Sequence, residues 1–312
     1  MKRIAVVGSQ SSTATASLIA SMLRQAAGWK VGMLDLCNGE QNLQAGLKKL
    51  DLQGFDCAVA AIGKADPGQP FEVGVLTDWN GDQTPQVLEA CEKLVVNLDD
   101  ACGQQTARKF PALTYSERKD QADLTAKNLH CYPTRTEFEA LTWNSIHRVS
   151  MPVLGGYDIY HGLAALGCGL SLGFSLDKLA PSMEQAAGIP GHLEQIPTGQ
   201  PFYLVVDRAS RALDLEDVLL TLLPMRGKGG SLRLLPGAMP EEERSLAEDV
   251  VDGLADDVIY PGADRSRSVW ELLDRGRAGD VLVITGVHEP GSQEDERRMA
   301  AQWLEYREKS AV

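Results

Sequence analysis

The sequence predicts an α/β protein of two doubly wound domains: a mostly parallel central sheet with an antiparallel margin over residues 1–190, then a smaller domain over 191–312. Three observations point there. Apolar runs such as Lys2–Val7 (KRIAVV) and Phe55–Ile62 (FDCAVAAI) are continuous rather than alternating, as in strands covered on both faces of a parallel sheet. Strand-like and helix-like stretches alternate through both halves. Between residues 123 and 153 the pattern turns shorter and more β-like, which marks the sheet's margin.

In chain order, Lys2–Val7 reads as a strand and Thr13–Ala27 as a helix with Leu18, Ile19, Met22, Leu23 and Ala26 on one face. Gly28 ends that helix. Lys30–Leu36, Phe55–Ile62, Phe71–Thr77 and Lys93–Leu98 are further strands of one sheet. DLTAKNLHCY, TEFEALTW and HRVSMPV are expected to be antiparallel. Gly155-Gly156 breaks the chain before a small-residue helix, Tyr157–Leu172, and a second helix, Leu176–Ala187, stops at Gly188. The second domain should run strand Phe202–Asp207, helix Leu213–Leu223, strand Ser231–Leu235, helix Glu241–Leu254, strand Asp257–Tyr260, helix Ser266–Arg275 and strand Asp280–Thr285. In Glu241–Leu254 the acidic face should be solvated and Leu246, Val250 and Leu254 buried. The charged tail from Gln293 reads as a short exposed helix.

The stretch VVGSQSSTATASLIASMLRQAAG (Val6–Gly28) is a strand, a glycine, a hydroxyl-rich run and a helix. That is the layout of a phosphate-binding loop, in which backbone N–H groups and the helix dipole face an anion. Such loops carry a lysine for the β/γ-phosphates. Ser12 stands before Thr13 instead.

Thirty Lys+Arg against 43 Asp+Glu give a net charge of -13, which argues against nucleic acid or anionic membrane as a partner. The apolar stretches are strand-length and the N-terminus runs straight into a strand, so a cytoplasmic location is expected. Cys37, Cys57, Cys91, Cys102, Cys131 and Cys168 form no CxxC pair and read as reduced, partly buried thiols. His130 beside Cys131 lacks a second ligand pair, so no metal site is expected. His147, Trp143 and Trp79 read as core or rim residues.

The order of segments resembles the Mur ligase family, the ATP-dependent enzymes that add amino acids to peptidoglycan precursors. The likeness is greatest to the type that extends the dipeptide precursor to a tripeptide. GSQSSTATASLIASMLRQAAGWKVGML looks like the family's GTNGKTTT loop, helix and strand, and EKLVVNLDDACGQQTARKF like its strand and Asn-x-Asp-Asp turn. MPVLGGYDIYHGLAALGCGLSLGFSLDKL is similar to its LpGxxNxxNxxAA helix. GIPGHLEQI and YLVVDRASRALDLEDVLLTLLP resemble its PGRxE and VDYAHTPDAL pair. DRSRSVWELLDRGRAGDVLVITGVHE resembles its closing strand with GKGHE. The resemblance implies a P-loop-type central domain and a Rossmann-like C-terminal domain. It covers the family's second and third domains and leaves out the domain that anchors the sugar nucleotide.

By the same resemblance, the nucleotide or anion remnant comprises Gly8, Ser11, Ser12, Thr13, Asp158 and His161, the last two in place of the adenine-contacting asparagines. Ser11 and Ser12 replace the loop's glycine and lysine, while the Thr13 hydroxyl could still meet a metal or phosphate. Removing that cation should forfeit ~3–4 kcal/mol of charge stabilisation. Ala61 stands where the family has its metal-binding glutamate, and Gly63 and Lys64 replace two serines. The turn Thr77-Asp78-Trp79-Asn80-Gly81-Asp82-Gln83 lacks the family's histidine, and the segment bearing a carbamylated lysine is missing where Pro85 leads into the next strand. In the C-terminal domain the cleft remnant is His192, Asp207, His288 and Glu289. YPGADRSRS takes the place of the family's amino-acid selector.

Nearly every charged catalytic position is thus replaced while strands, helix faces and turn glycines read intact. The leading expectation is a pseudoenzyme with no catalytic residues, no resident metal and no required cofactor beyond weakly held ATP or phosphate. Its partner would be a protein, either a second copy of itself or an active ligase. The alternative is a divergent ATP- or anion-binding ligase that uses Lys64 as a displaced cation. A blander third is a small-molecule sensor.

Overall fold

Where a strand has no polar face it must lie between two layers, and the run IAVV of the first strand is fully buried. The computed structural model describes residues 1–9, 12–37, 42–62, 70–81, 84–132, 135–152, 158–186, 191–262, 264–288, 292 and 295–310. Met1–Cys131, Arg135–Pro152 and Gly156–Gly188 form one compact unit, and Ile189–Val312 the body of a second.

The first unit runs β1 (Lys2–Val7), α1 (Ser12–Ala27), β2 (Val31–Asp35), α2 (Leu43–Leu52), β3 (Cys57–Ile62), β4 (Phe71–Leu76), α3 (Gln86–Glu89) and β5 (Cys91–Asn97). It continues with α4 (Ala101–Lys109), β6 (Leu113–Ser116), β7 (Leu124–Tyr132), β8 (Arg135–Thr142), β9 (Ser145–Met151), α5 (Asp158–Ser171) and α6 (Leu176–Glu184). One nine-stranded sheet has the order β2-β3-β1-β4-β5-β6-β7-β8-β9. Pairing is parallel from β2 through β7 and antiparallel between β8 and β9. The margin therefore starts one strand later than expected, because β7 joins β6 in parallel through a short connection.

Two helices escaped the sequence pattern and both are capped by side chains. Asn42 accepts from the Ala45 N–H at the start of α2, and Asp100 from the Gly103 N–H at the start of α4. Another short helix, α3, fills the stretch after Pro85 that was expected to lead directly into a strand. Gly103 lets α4 lie on the end of β5, since a Cβ there would sit 1.8 Å from the Asn97 carbonyl oxygen.

The second unit comprises β10 (Glu194–Ile196), β11 (Tyr203–Val206), α7 (Ala212–Leu222), β12 (Leu232–Leu235), α8 (Arg244–Leu254), β13 (Asp257–Val258), α9 (Arg265–Arg275), β14 (Val281–Ile284) and α10 (Glu296–Ser310). Its sheet has the order β10-β11-β14-β12-β13, parallel except for β10. Leu215, Leu219 and Leu222 of α7 and Ala247, Val250 and Val251 of α8 pack on one face, and Val269, Leu272, Ala300 and Trp303 of α9 and α10 on the other. The fold is thus α/β with two mostly parallel sheets, the second doubly wound.

Two expectations for this unit are corrected. Leu246 is 49% exposed, because α8 begins only at Arg244 after a 3-10 turn over Glu241–Glu243, which sets Ala247, Val250 and Val251 inward. The C-terminal helix is not simply exposed, because Met299, Ala300 and Trp303 of α10 belong to the core.

Arg233 of β12 lies between two carboxylates, donating to Asp280 at 2.8 Å and Asp257 at 2.6 Å. Burial alone would raise both carboxyls, but hydrogen bonds from Arg233 and other donors outweigh it and hold both below the ordinary aspartate range. Depressed carboxyls add stability above their unfolded-state pKa and lose it as pH falls through the folded value. Acid titration of unfolding should therefore show the second unit losing stability below the normal aspartate range. Arg233→Met should flatten that dependence, and an unchanged slope would refute the assignment.

Candidate functional site

The first loop leaves the carboxyl end of β1, the edge where open α/β sheets bind ligands. Gly8 is required by close approach: a Cβ there would meet the Thr77 hydroxyl at 2.1 Å, an Asp78 carboxylate oxygen at 2.9 Å and the Ser12 nitrogen at 3.3 Å. The Ser9 N–H donates to the Asp78 carbonyl at 2.9 Å and to its carboxylate at 3.2 Å. Ser9 Oγ accepts from the Asn80 N–H at 3.0 Å. The Thr13 hydroxyl, the residue that could have met a metal or phosphate, donates to Asp35 Oδ2 at 3.2 Å. The other oxygen of Asp35 accepts from the Cys37 N–H, and Cys37 Sγ lies 3.2 Å from the buried Ser12 hydroxyl.

Gly8, Ser12, Thr13 and His161 gather around the first turn of α1, but His161 turns away from solvent. It is 3% exposed and its Nδ1 lies 2.8 Å from Thr15 Oγ1, tying α5 to α1. Its role in the described structure is a bond between helices. Ser11, Gly63, Lys64 and Glu289 lie outside the described residues, as does the side chain of Asp158, whose backbone opens α5.

Among the described residues, carboxylates rather than cations are bonded to the ends of the loop. The described donors at the start of the loop are directed to the chain's own carboxylates, Asp78 and Asp35, and further carboxylate charge opposes a triphosphate. Ala61 at the end of β3 is fully buried and offers no metal ligand. Among the described residues no three His, Cys, Asp or Glu side chains cluster to hold a metal ion.

In the second unit the structure brings His192, Asp207 and His288 into one network at the carboxyl ends of β11 and β14. Asp207 is 4% exposed, and its carboxylate accepts from the Leu193 and Ala209 N–H groups, each at 2.7 Å. Leu193 has φ +42, a left-handed conformation unusual for leucine that these bonds hold in place. His192 Nδ1 lies 3.7 Å from Asp207 Oδ2. The Asp207 carbonyl accepts from the Val287 N–H beside His288. His288 donates its backbone N–H to the fully buried Glu296 and places Nδ1 3.0 Å from it. Arg297 bonds Glu194 and Asp295, and Arg265 bonds Glu296. The cleft residues so serve to join the β10 turn, the end of β14 and the start of α10.

Beyond the ends of β12 and β13 is a cavity of about 240 Å³, lined in part by Gly237, Met239, Arg244, Glu248, Tyr260 and Pro261. It is otherwise mainly apolar. Sequence reasoning did not anticipate Asp35, Asp78 or Cys37 at the loop, nor Arg265, Glu296 and Arg297 around His288. Asp78 had a signal, since it follows a strand end in a segment already aligned with a functional turn. The others come from elements whose spatial neighbours no local pattern reveals.

Buried thiols are poor nucleophile candidates. Burial pushes Cys57 and Cys91 up to about 12 and Cys168 well above its ordinary value. No described helix is long and apolar enough to cross a membrane.

Comparison with known proteins places these features. Residues 86–169 match the Mur ligase middle domain. The chain is similar to the UDP-N-acetylmuramoyl-L-alanyl-D-glutamate--2,6-diaminopimelate ligase of Bacillus velezensis, 26% identical over 228 residues, covering 64% of this chain and 46% of that one. A ligase of the same description from Clostridium acetobutylicum is 22% identical over 352 residues, covering 92% of this chain and 73% of its own length. The chain spans about half the length of most of the curated relatives it matches. A solved ligase structure of that description superposes with a TM-score of 0.72 at 21% identity, covering 99% of this chain and 79% of the other. The MurF ligase of Thermotoga maritima, solved in complex with ADP, does so with a TM-score of 0.72 at 16% identity, over 100% and 81% of the two chains. The middle-domain match over residues 86–169 and the relatives together show that this chain is distantly similar to Mur ligases and shares their fold.

Proposed function

We propose that this chain is a binding or regulatory component built on the Mur ligase fold, which does not couple ATP hydrolysis to amide formation. Its setting by analogy is a cell-envelope or peptide-ligase pathway in the cytoplasm, with a protein partner. The observation that supports this is the loop itself. The Ser9 N–H and the Thr13 hydroxyl, donors that would otherwise face an anion, are bonded to Asp78 and Asp35. Ser12 in place of a lysine and carboxylates bonded at the two ends of the loop act in the same direction: both weaken phosphate binding.

The test is nucleotide binding and turnover. A genuine site would add about 2.7 kcal/mol of stability at a nucleotide concentration 100 times its Kd. Neither ATP, ADP nor inorganic phosphate with magnesium is expected to raise the melting temperature at millimolar concentration, and no phosphate should be released in the presence of amino acids. Ser12→Lys alone should not create a site, whereas Ser12→Lys combined with Asp78→Ala should bind phosphate measurably. Phosphate release by the unaltered chain, or an ATP-dependent shift that Thr13→Ala abolishes, would instead establish a divergent ligase.

A further inference from the structure

Two-residue hairpin turns favour Asn, Asp and Gly, and an indole gains from being covered. Trp143 nonetheless occupies such a turn, between β8 and β9, and is 91% exposed. The turn does not need it. Thr142 pairs with Ser145 across the turn, and its hydroxyl meets Asn144 Oδ1 at 3.0 Å and Ser145 Oγ at 2.8 Å.

Beside the turn opens a groove of about 570 Å³, the size of an ordinary ligand site. Leu113, Leu170 and Leu176 give it apolar lining, and Asp123 and Asp177 give it negative charge. Asp123 is anchored, because its Oδ2 accepts from the Thr114 N–H at 2.8 Å and hydroxyl at 2.7 Å. Asp177 is 81% exposed in the first turn of α6, with His147 Nε2 at 3.7 Å. The lysines of neighbouring elements are engaged elsewhere: Lys93 donates to the Ser171 carbonyl, and Lys178 lies over the Phe174 ring. Leu113 begins β6, so the groove sits at the amino ends of the parallel strands, the opposite edge from the loop after β1.

We propose that this groove docks a basic segment of a partner protein, seating a Lys or Arg side chain against Trp143 with its charge toward Asp123 and Asp177. An indole face attracts ammonium and guanidinium groups, most strongly when both are withdrawn from water. The net charge of -13 disfavours an acidic segment. Trp143 lines the groove yet is 91% exposed, so covering its ring takes a chain that extends past the seated side chain rather than a lone amine. The proposal rests on the binding-component reading only in expecting a protein partner. Nucleotide assays read the loop and peptide titration reads the groove, so each can fail without the other.

The experiment titrates the full chain with the capped pentapeptide Ala-Leu-Arg-Leu-Ala and with the same peptide carrying citrulline, which keeps the side chain's size and removes its charge. The arginine peptide should bind with a Kd below about 1 mM and the citrulline peptide about tenfold more weakly. Trp143→Ala should weaken arginine-peptide binding about tenfold and Asp177→Asn several-fold, while Trp143→Phe retains most of it. Both substituted residues are solvent-exposed, so the variants should fold. Binding should fall as salt rises. Equal binding of the two peptides, no saturation up to millimolar concentration, or indifference to Trp143→Ala overturns the proposal. Free arginine binding as tightly as the peptide also overturns it, by assigning the groove to a small cation.

Discussion

Replacing Trp303 with alanine is expected to remove about 3–5 kcal/mol from the second unit. Trp303 is 1% exposed, packs against Phe202 with ring centroids 6.4 Å apart and lies in the cluster formed by α9, α10 and one face of the sheet. Its indole N–H donates to Asp274 Oδ1 at 2.9 Å, and the Arg307 guanidinium covers the ring at 5.2 Å. Alanine leaves a cavity that the flanking β14 and α9 cannot close without moving backbone. Urea unfolding followed by circular dichroism should show the transition of the second unit shifting while that of the first stays in place. Trp303→Phe should recover a large part of the loss, and a cost below about 1 kcal/mol for alanine would show that α10 is dispensable.

An effect of similar size is expected for Arg265→Ala. Glu296 is fully buried, and its carboxylate is met by Arg265 Nε at 3.1 Å and by the His288 N–H and Nδ1, each at 3.0 Å. Arg265 also donates to the Pro236 and Thr285 carbonyls, at 2.8 and 2.9 Å. Taking away one partner strands a buried carboxylate, which costs about 3–5 kcal/mol. The double variant Arg265→Ala, Glu296→Ala should cost clearly less than the sum of the two single changes, because the second substitution removes the stranded charge. Additive costs would mean that the pair is not coupled. Against the 5–15 kcal/mol typical of whole domains, either single change would remove a large share of the unit's stability.

These two residues also show where local sequence ceases to be informative. Strands such as Lys2–Val7 and Cys57–Ile62 were legible because continuous apolar runs have one structural solution, burial on both faces. The tail from Gln293 was read as an exposed helix because its charges dominate, yet Met299, Ala300 and Trp303 pack it into the core and buried Glu296 ties it to Arg265. Leu246 was misplaced because helical phase depends on where the helix begins, and a 3-10 turn moved that start. At the loop, the missing lysine was visible in one dimension. The carboxylates of Asp35 and Asp78 were not, since they arrive from β2 and from the end of β4, 22 and 69 residues from their partners. His161 was read as a nucleotide-contacting position, but its burial against Thr15 is a fact of helix packing that spacing does not encode.

The strand order of the first unit carries a consequence for biosynthesis. β1 is central in its sheet, flanked by β3 and β4. Its register partners begin at Cys57, for Lys2, and at Val73, for Ile4. At a ribosomal rate of 5–20 residues per second, the apolar segment IAVV therefore waits roughly 3–11 s after synthesis for a neighbour. During that interval it is an uncovered, chargeless β-former, and synthesis in cells should depend on holdase chaperones more than the finished molecule's stability would suggest.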